Sequence, residues 1–140
     1  MNVLKALICG AIVAVPTAAM AANNPCTDMK WHAKFLDLYP KAAVACQDVQ
    51  VKDGVKYAKF IGKVIKVTKT DIEVETLNVA GTPISKGKWL KDPNETMMVD
   101  GKEVKANKLK KGDELTFWVA ENQFTYAPSP GAPVHQFKRE

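Results

Sequence analysis

The stretch Val55-Lys56-Tyr57-Ala58-Lys59-Phe60-Ile61-Gly62-Lys63-Val64-Ile65-Lys66-Val67-Thr68 decides the fold. Apolar residues and lysines alternate along it, the period of a strand with one buried face. It is also long, well beyond the usual strand of about five or six residues. Its parity slips midway: Val55 and Tyr57 fall on one set, Phe60 and Val64 on the other. Gly62 stands at the slip. A glycine there predicts a bulge or a sharp bend, as at a barrel corner.

The flanks read the same way. Val49 and Val51 alternate with polar residues before Lys52-Asp53-Gly54. A three-residue hairpin loop with Gly54 left-handed predicts Val51 opposite Val55 and Val49 opposite Tyr57. Thr68-Lys69-Thr70-Asp71 is the next turn. Pairing Val67 with Ile72 then sets Lys66 against Glu73 and Ile65 against Val74, with an apolar inner face and an opposite-charge outer pair. Leu77 to Pro83 is a turn, Ile84 to Leu90 a weaker strand, and Lys91-Asp92-Pro93-Asn94 another turn. Thr96 to Val99 and Lys102 to Val104 flank Asp100-Gly101, a two-residue hairpin signal. Leu109-Lys110-Lys111-Gly112-Asp113 leads into Glu114 to Ala120, where Leu115, Phe117 and Val119 alternate with Thr116 and Trp118. Short strands between regular turns predict a mainly β fold. We expect a small antiparallel barrel, OB-like (oligonucleotide/oligosaccharide-binding) or SH3-like, with an N-terminal helix over one opening.

That helix is expected from Thr27 as N-cap, with Asp28 in the first turn and Trp31, Phe35, Leu38 and Ala42 at helical spacing. Pro40 ends it, kinks it, or opens a second short turn through Ala45. At the other end, Ala127 to Pro133 holds three prolines and a glycine in seven residues and forms a strap or a loose tail. Residues 22–47 are thus a helical segment, 48–126 the β-barrel domain and 127–140 a Pro-rich tail.

Residues 1–21 concern address. Lys5 precedes an apolar run from Ala6 to Val15, Pro16 and Thr17 break it, and Ala19-Met20-Ala21 follows. This is the pattern of a secretory signal peptide cut after Ala21. The run is too short to span a bilayer, which needs about twenty residues, so no stable membrane insertion is expected. Removing residues 1–21 from the 140-residue chain leaves 119, and loss of Lys5 lowers the formal net charge from +5 to +4. One domain of ordinary size remains. Cys9 leaves with the signal, so Cys26 and Cys46 form one disulfide in an oxidising compartment, periplasmic or extracellular.

Arg139 is the only arginine, and the lysine excess is mild. Both argue against nucleic acid, which favours strong basic imbalance and planar guanidinium forks. No catalytic constellation is legible. His32 falls in the helix and His135 in the tail, and Ser85 and Ser129 lack a nucleophile context. Glu73 and Glu75 share a strand face beside Lys66, a solvated arrangement rather than a cleft pair. Met97 and Met98 are adjacent on a strand, point to opposite faces and cannot easily share a soft-metal site. No metal site and no cofactor are expected. The ligand-binding candidates are Trp89 with Lys86 and Lys88 beside it, and Trp118 if it alternates outward. The rival reading packs these rings, with Trp118 covered by the helix bearing Trp31 and Phe35.

The stretch Phe35-Leu36-Asp37-Leu38-Tyr39-Pro40-Lys41-Ala42-Ala43-Val44-Ala45-Cys46 and the run from Met98-Val99-Asp100-Gly101 to Lys111-Gly112-Asp113-Glu114-Leu115 resemble small exported β-barrel proteins of Gram-negative bacteria with no assigned function. The resemblance implies class and compartment and transfers no site residue. The expected function is an exported, soluble, non-enzymatic binding or structural module of the cell envelope, with an envelope protein or glycan as partner. The alternatives are a secreted inhibitor using a loop such as Ile84 to Asp92, or an envelope hydrolase.

Overall fold

The structure is a computed structural model that describes residues 26–137. Residues 1–21, expected to be a signal peptide, lie outside the described residues. The fold is mainly β: an antiparallel sheet curls into a half-barrel, with short helix near the N-terminus. Among the described residues, two helices, α1 (Ala33–Leu38) and α2 (Ala42–Ala45), precede the strands. The strands are β1 (Asp48–Lys52), β2 (Val55–Val67), β3 (Asp71–Leu77), β4 (Pro83–Leu90), β5 (Thr96–Val99), β6 (Lys102–Lys105), β7 (Glu114–Ala120), β8 (Thr125–Ala127) and β9 (His135–Gln136). The main order is β4-β3-β2-β7-β5-β6, with β1 on β2 and β8 between β7 and β9.

The long strand β2 organises everything. Its first half pairs with β1, its second half with β3, and its middle, Tyr57 to Lys63, with β7. The parity change in it has another cause than a bend at Gly62. Ala58, Phe60 and Val64 face the main core, whereas Tyr57 belongs to a second cluster with Trp118 and Ala120. Both faces of the sheet are therefore apolar near Tyr57. Gly62 is needed for close approach instead: a Cβ there would lie 2.4 Å from Cγ1 of Val74 and 3.5 Å from the Phe117 ring. The register shift falls between Val64 and Lys66. Val64 pairs with Val74, and Lys66 with Glu73 and Val67 with Ile72 as expected, but Ile65 is the bulged residue and does not face Val74.

The first hairpin is shifted by one residue from expectation. Lys52 pairs with Val55, Val51 with Lys56 and Val49 with Ala58. Asp53 and Gly54 both take positive φ, 50° and 80°. That is a two-residue primed turn, whose twist matches that of the flanking strands. Asp100-Gly101 makes the same turn, as expected.

Helix α1 starts later than Thr27. His32 is its N-cap, and its side chain accepts from the Lys34 amide at 3.1 Å. The preceding chain is drawn away by a long-range bond from the Lys30 amide to Oε2 of Glu121, 3.0 Å. Pro40 separates the two short helices, and the second runs through Ala45. Phe35, Leu38 and Tyr39 enter the inner face of the sheet, where Phe35 lies 5.6 Å from Phe60. The Cys26–Cys46 disulfide joins the start of this segment to the end of α2, with Cα atoms 6.2 Å apart.

The C-terminal segment is a strap. Strand β9 pairs with β8, and Phe137 is 5% exposed in a nest of rings. One core cluster runs from Cys26 to Phe137, so the helical segment, the sheet and the strap share a single interior. No helix among the described residues is long and apolar enough to cross a membrane.

Candidate functional site

Three segments far apart in sequence meet along α1. His32, Lys34 and Asp37 come from the helix, Asn122, Gln123, Phe124 and Thr125 from the β7–β8 turn, and Gln136 and Phe137 from the strap. They line two adjoining hollows of about 380 and 450 Å³, within the range of small-molecule sites. The hollows share Lys34, Phe124 and Gln136. Phe124 forms the common wall. Its ring is stacked against His32 at 6.1 Å and packs against Phe137 at 5.3 Å.

The polar groups are held by the local fold. Asn122 sits at φ 59°, in the left-handed region that asparagine tolerates in a turn. Thr125 Oγ1 donates to Oε1 of Gln123 at 3.3 Å, which leaves the Gln123 amide NH2 as a donor. His32 accepts through Nδ1, so its Nε2 carries the proton. The cleft thus offers the Phe124 and Phe137 rings, the His32 imidazole, three side-chain amides, a hydroxyl, a carboxylate and an ammonium group.

Behind this cleft lies a buried polar network. Glu95, 7% exposed, accepts a short hydrogen bond from the Tyr126 hydroxyl, and His135 Nδ1 lies 3.2 Å from its Oε1. Burial pushes the Tyr126 hydroxyl far above its ordinary range, and the Glu95 charge and hydrogen bond push it further. Tyr126 therefore stays protonated and donates. Next to it, Trp89 Nε1 donates to the Tyr39 hydroxyl. The network ties the β4–β5 loop, β8 and the strap to one carboxylate.

A pH test follows from Tyr126. Its folded pKa is raised, so its contribution is intact below the unfolded value near 10 and is lost as pH rises above it. By pH 11 the parent should lose about 1.4 kcal/mol relative to a Tyr126→Phe variant. Urea unfolding of both proteins at pH 9, 10 and 11 checks this; parallel losses would refute it.

The residues expected to bind ligand are not gathered into one platform. Trp89 is 3% exposed and faces the core, 5.1 Å from the Phe117 and Tyr126 rings. Trp118 does alternate to the outer face, but Tyr57, Ala120 and Val55 bury it. The helix does not cover it; Trp31 and Phe35 pack on Phe60, on the other side of the sheet. Lys86 and Lys88 are exposed on β4, on the face opposite to Trp89. There they stand across from Glu75 and Glu73 of β3, which in turn face Lys63 and Lys66 of β2. The two lysines belong to a cross-strand charge pattern.

No protein-family model, no curated protein and no solved structure matches this chain. The site must speak for itself.

His32 and the pair Glu73 and Glu75 are not brought together: His32 lines the cleft, and the two carboxylates lie on the outer face of β3. Ile84 to Leu90 is strand, paired along its length with β3, not a protruding loop. Met97 is buried and Met98 half-buried on opposite faces, as the alternation implies. Among the described residues, no group of three His, Cys, Asp or Glu side chains is placed to hold a metal. Sequence reading passed over Phe124, Asn122, Gln123 and Gln136. Their one visible signal was the polar run Glu121-Asn122-Gln123 directly after a strand.

Proposed function

We propose that this is an exported, soluble, non-enzymatic module of the cell envelope that binds a glycan in the cleft around Phe124. The observation that carries this reading is the Phe124 wall, common to both hollows and flanked by the amides of Asn122, Gln123 and Gln136. A sugar has one apolar ring face and a rim of hydroxyls. An aromatic surface takes the first, and amides, which donate and accept together, take the second. An N-acetylated sugar fits best, because its own amide pairs with such groups. The disulfide and the signal-like residues 1–21 support an envelope address.

The test is titration calorimetry with the soluble trimer of β-1,4-linked N-acetylglucosamine. Asn122→Gly keeps the left-handed turn and deletes the amide, and Gln136→Ala removes another from an exposed position. Each lost hydrogen bond should weaken binding about fivefold to tenfold, from a contribution of about 1–1.5 kcal/mol. Absence of binding to neutral and N-acetylated oligosaccharides alike would overturn the reading.

A further inference from the structure

A second groove, sharing no residue with the cleft, lies where β2 is bulged. It is lined by Ile65, Lys66, Val67, Glu73, Leu109, Lys110 and Lys111, and encloses about 610 Å³. Three consecutive residues of one strand cannot all line one groove if the strand is regular, because alternate side chains point to opposite faces. Here Ile65, Lys66 and Val67 do so, because the register shifts between Val64 and Lys66. Bulges re-aim side chains in this way next to functional sites.

The facing wall is also fixed. Leu109, Lys110 and Lys111 follow a short 3-10 helix at Ala106–Lys108. The Gly112 amide donates to the Val64 carbonyl at 2.8 Å, and the Val64 amide to the Asp113 carbonyl at 2.8 Å. Asp113 Oδ2 accepts from the Lys110 amide at 3.0 Å. Two short runs, apolar-Lys-apolar and apolar-Lys-Lys, are therefore clamped face to face before any ligand arrives. Leu109 is buried, Ile65 and Val67 are half-buried, and the three lysines are exposed. Among the described residues, none of the Lys66, Lys110 and Lys111 ammonium groups makes a hydrogen bond or an ion pair. One carboxylate, Glu73, stands against three cations.

We propose that this groove binds a single-chain anionic amphiphile, with its apolar stem along Ile65, Val67 and Leu109 and its charged head among Lys66, Lys110 and Lys111. The long methylene stems of the lysines extend the apolar floor while their heads reach the anion. The positive excess selects an anionic head, and the preformed walls reduce the ordering cost of binding.

The experiment is an amide NMR titration of the exported chain with monomeric n-octyl phosphate. Saturable shifts confined to residues 65–67 and 109–111 are expected, weakening as salt is raised. Inorganic phosphate and n-octyl glucoside should each bind at least tenfold more weakly. The triple variant Lys66→Gln/Lys110→Gln/Lys111→Gln should lose at least tenfold. Ile65→Asn, which spares every lysine, should lose a similar factor. Equal affinity for octyl glucoside or for phosphate alone, unchanged binding by either variant, or shifts elsewhere would overturn the proposal. So would recruitment to phosphatidylglycerol vesicles without binding of the monomeric amphiphile, which would mark a membrane-reading surface instead.

Discussion

Phe137→Ala is expected to lower stability by about 3–5 kcal/mol, the range for truncating a buried aromatic. The residue follows a Pro-rich stretch that the sequence reads as a strap or a loose tail, and in a loose tail truncation would be tolerated. Its surroundings say otherwise. Its ring lies 4.7 Å from Tyr126, 5.2 Å from Trp89, 5.3 Å from Phe124, 5.8 Å from Phe35 and 6.1 Å from Tyr39. These partners come from β8, β4, the β7–β8 turn and the helical segment, so no one element can relax to fill the hole. The truncation also frees the strap that carries His135 to Glu95. Urea denaturation measures the effect, and Trp89 emission should move to the red as water reaches the indole. A loss under about 1 kcal/mol would mean that the strap is not part of the folded core.

The second large effect is loss of the disulfide. Cys26→Ala/Cys46→Ala is expected to cost about 3 kcal/mol, the chain-entropy value for a loop of about twenty residues. Both cysteines are almost fully buried, so the pair sits inside the interior rather than at its edge. Thermal melting should fall by roughly 10–15 °C for a domain of this size, with strand content unchanged at low temperature by circular dichroism. Melting within a few degrees of the parent would show that packing of Phe35, Leu38 and Tyr39 alone holds the helical segment on the sheet.

Much of the sheet was legible because strand signals are local. The Asp100-Gly101 turn, the Val67–Ile72 and Lys66–Glu73 pairs, and the span of β7 follow from alternation and turn chemistry within a few residues. The misreadings have local causes too. One residue of loop length separates a two-residue turn at Asp53-Gly54 from a three-residue one, and that residue sets the register of β1. Two apolar faces near Tyr57 imitated a parity slip, which placed the irregularity at Gly62 rather than Ile65. The start of α1 was set by Glu121, some ninety residues away, through its bond to the Lys30 amide.

The candidate sites were much less legible. A tryptophan beside lysines looks like a platform in one dimension. On a strand, however, Lys88 and Trp89 point to opposite faces, and the curl of the sheet took Trp89 inside. The cleft draws on residues 32–37, 122–125 and 136–137, and no spacing rule links these.

The sequence by itself determined the class of the molecule: strand periodicity, turn residues and a single cysteine pair in the chain beyond residue 21 require a small, cross-linked, antiparallel β domain. These properties depend on neighbours in the chain. Which residues share a hollow or a groove was decided only by tertiary structure. The bulge at Ile65 joins three consecutive residues in one groove, and the strap brings Phe137 and Gln136 to Phe124. Both depend on long-range contacts, whose partners are fixed by the closure of the sheet and not by distance along the chain.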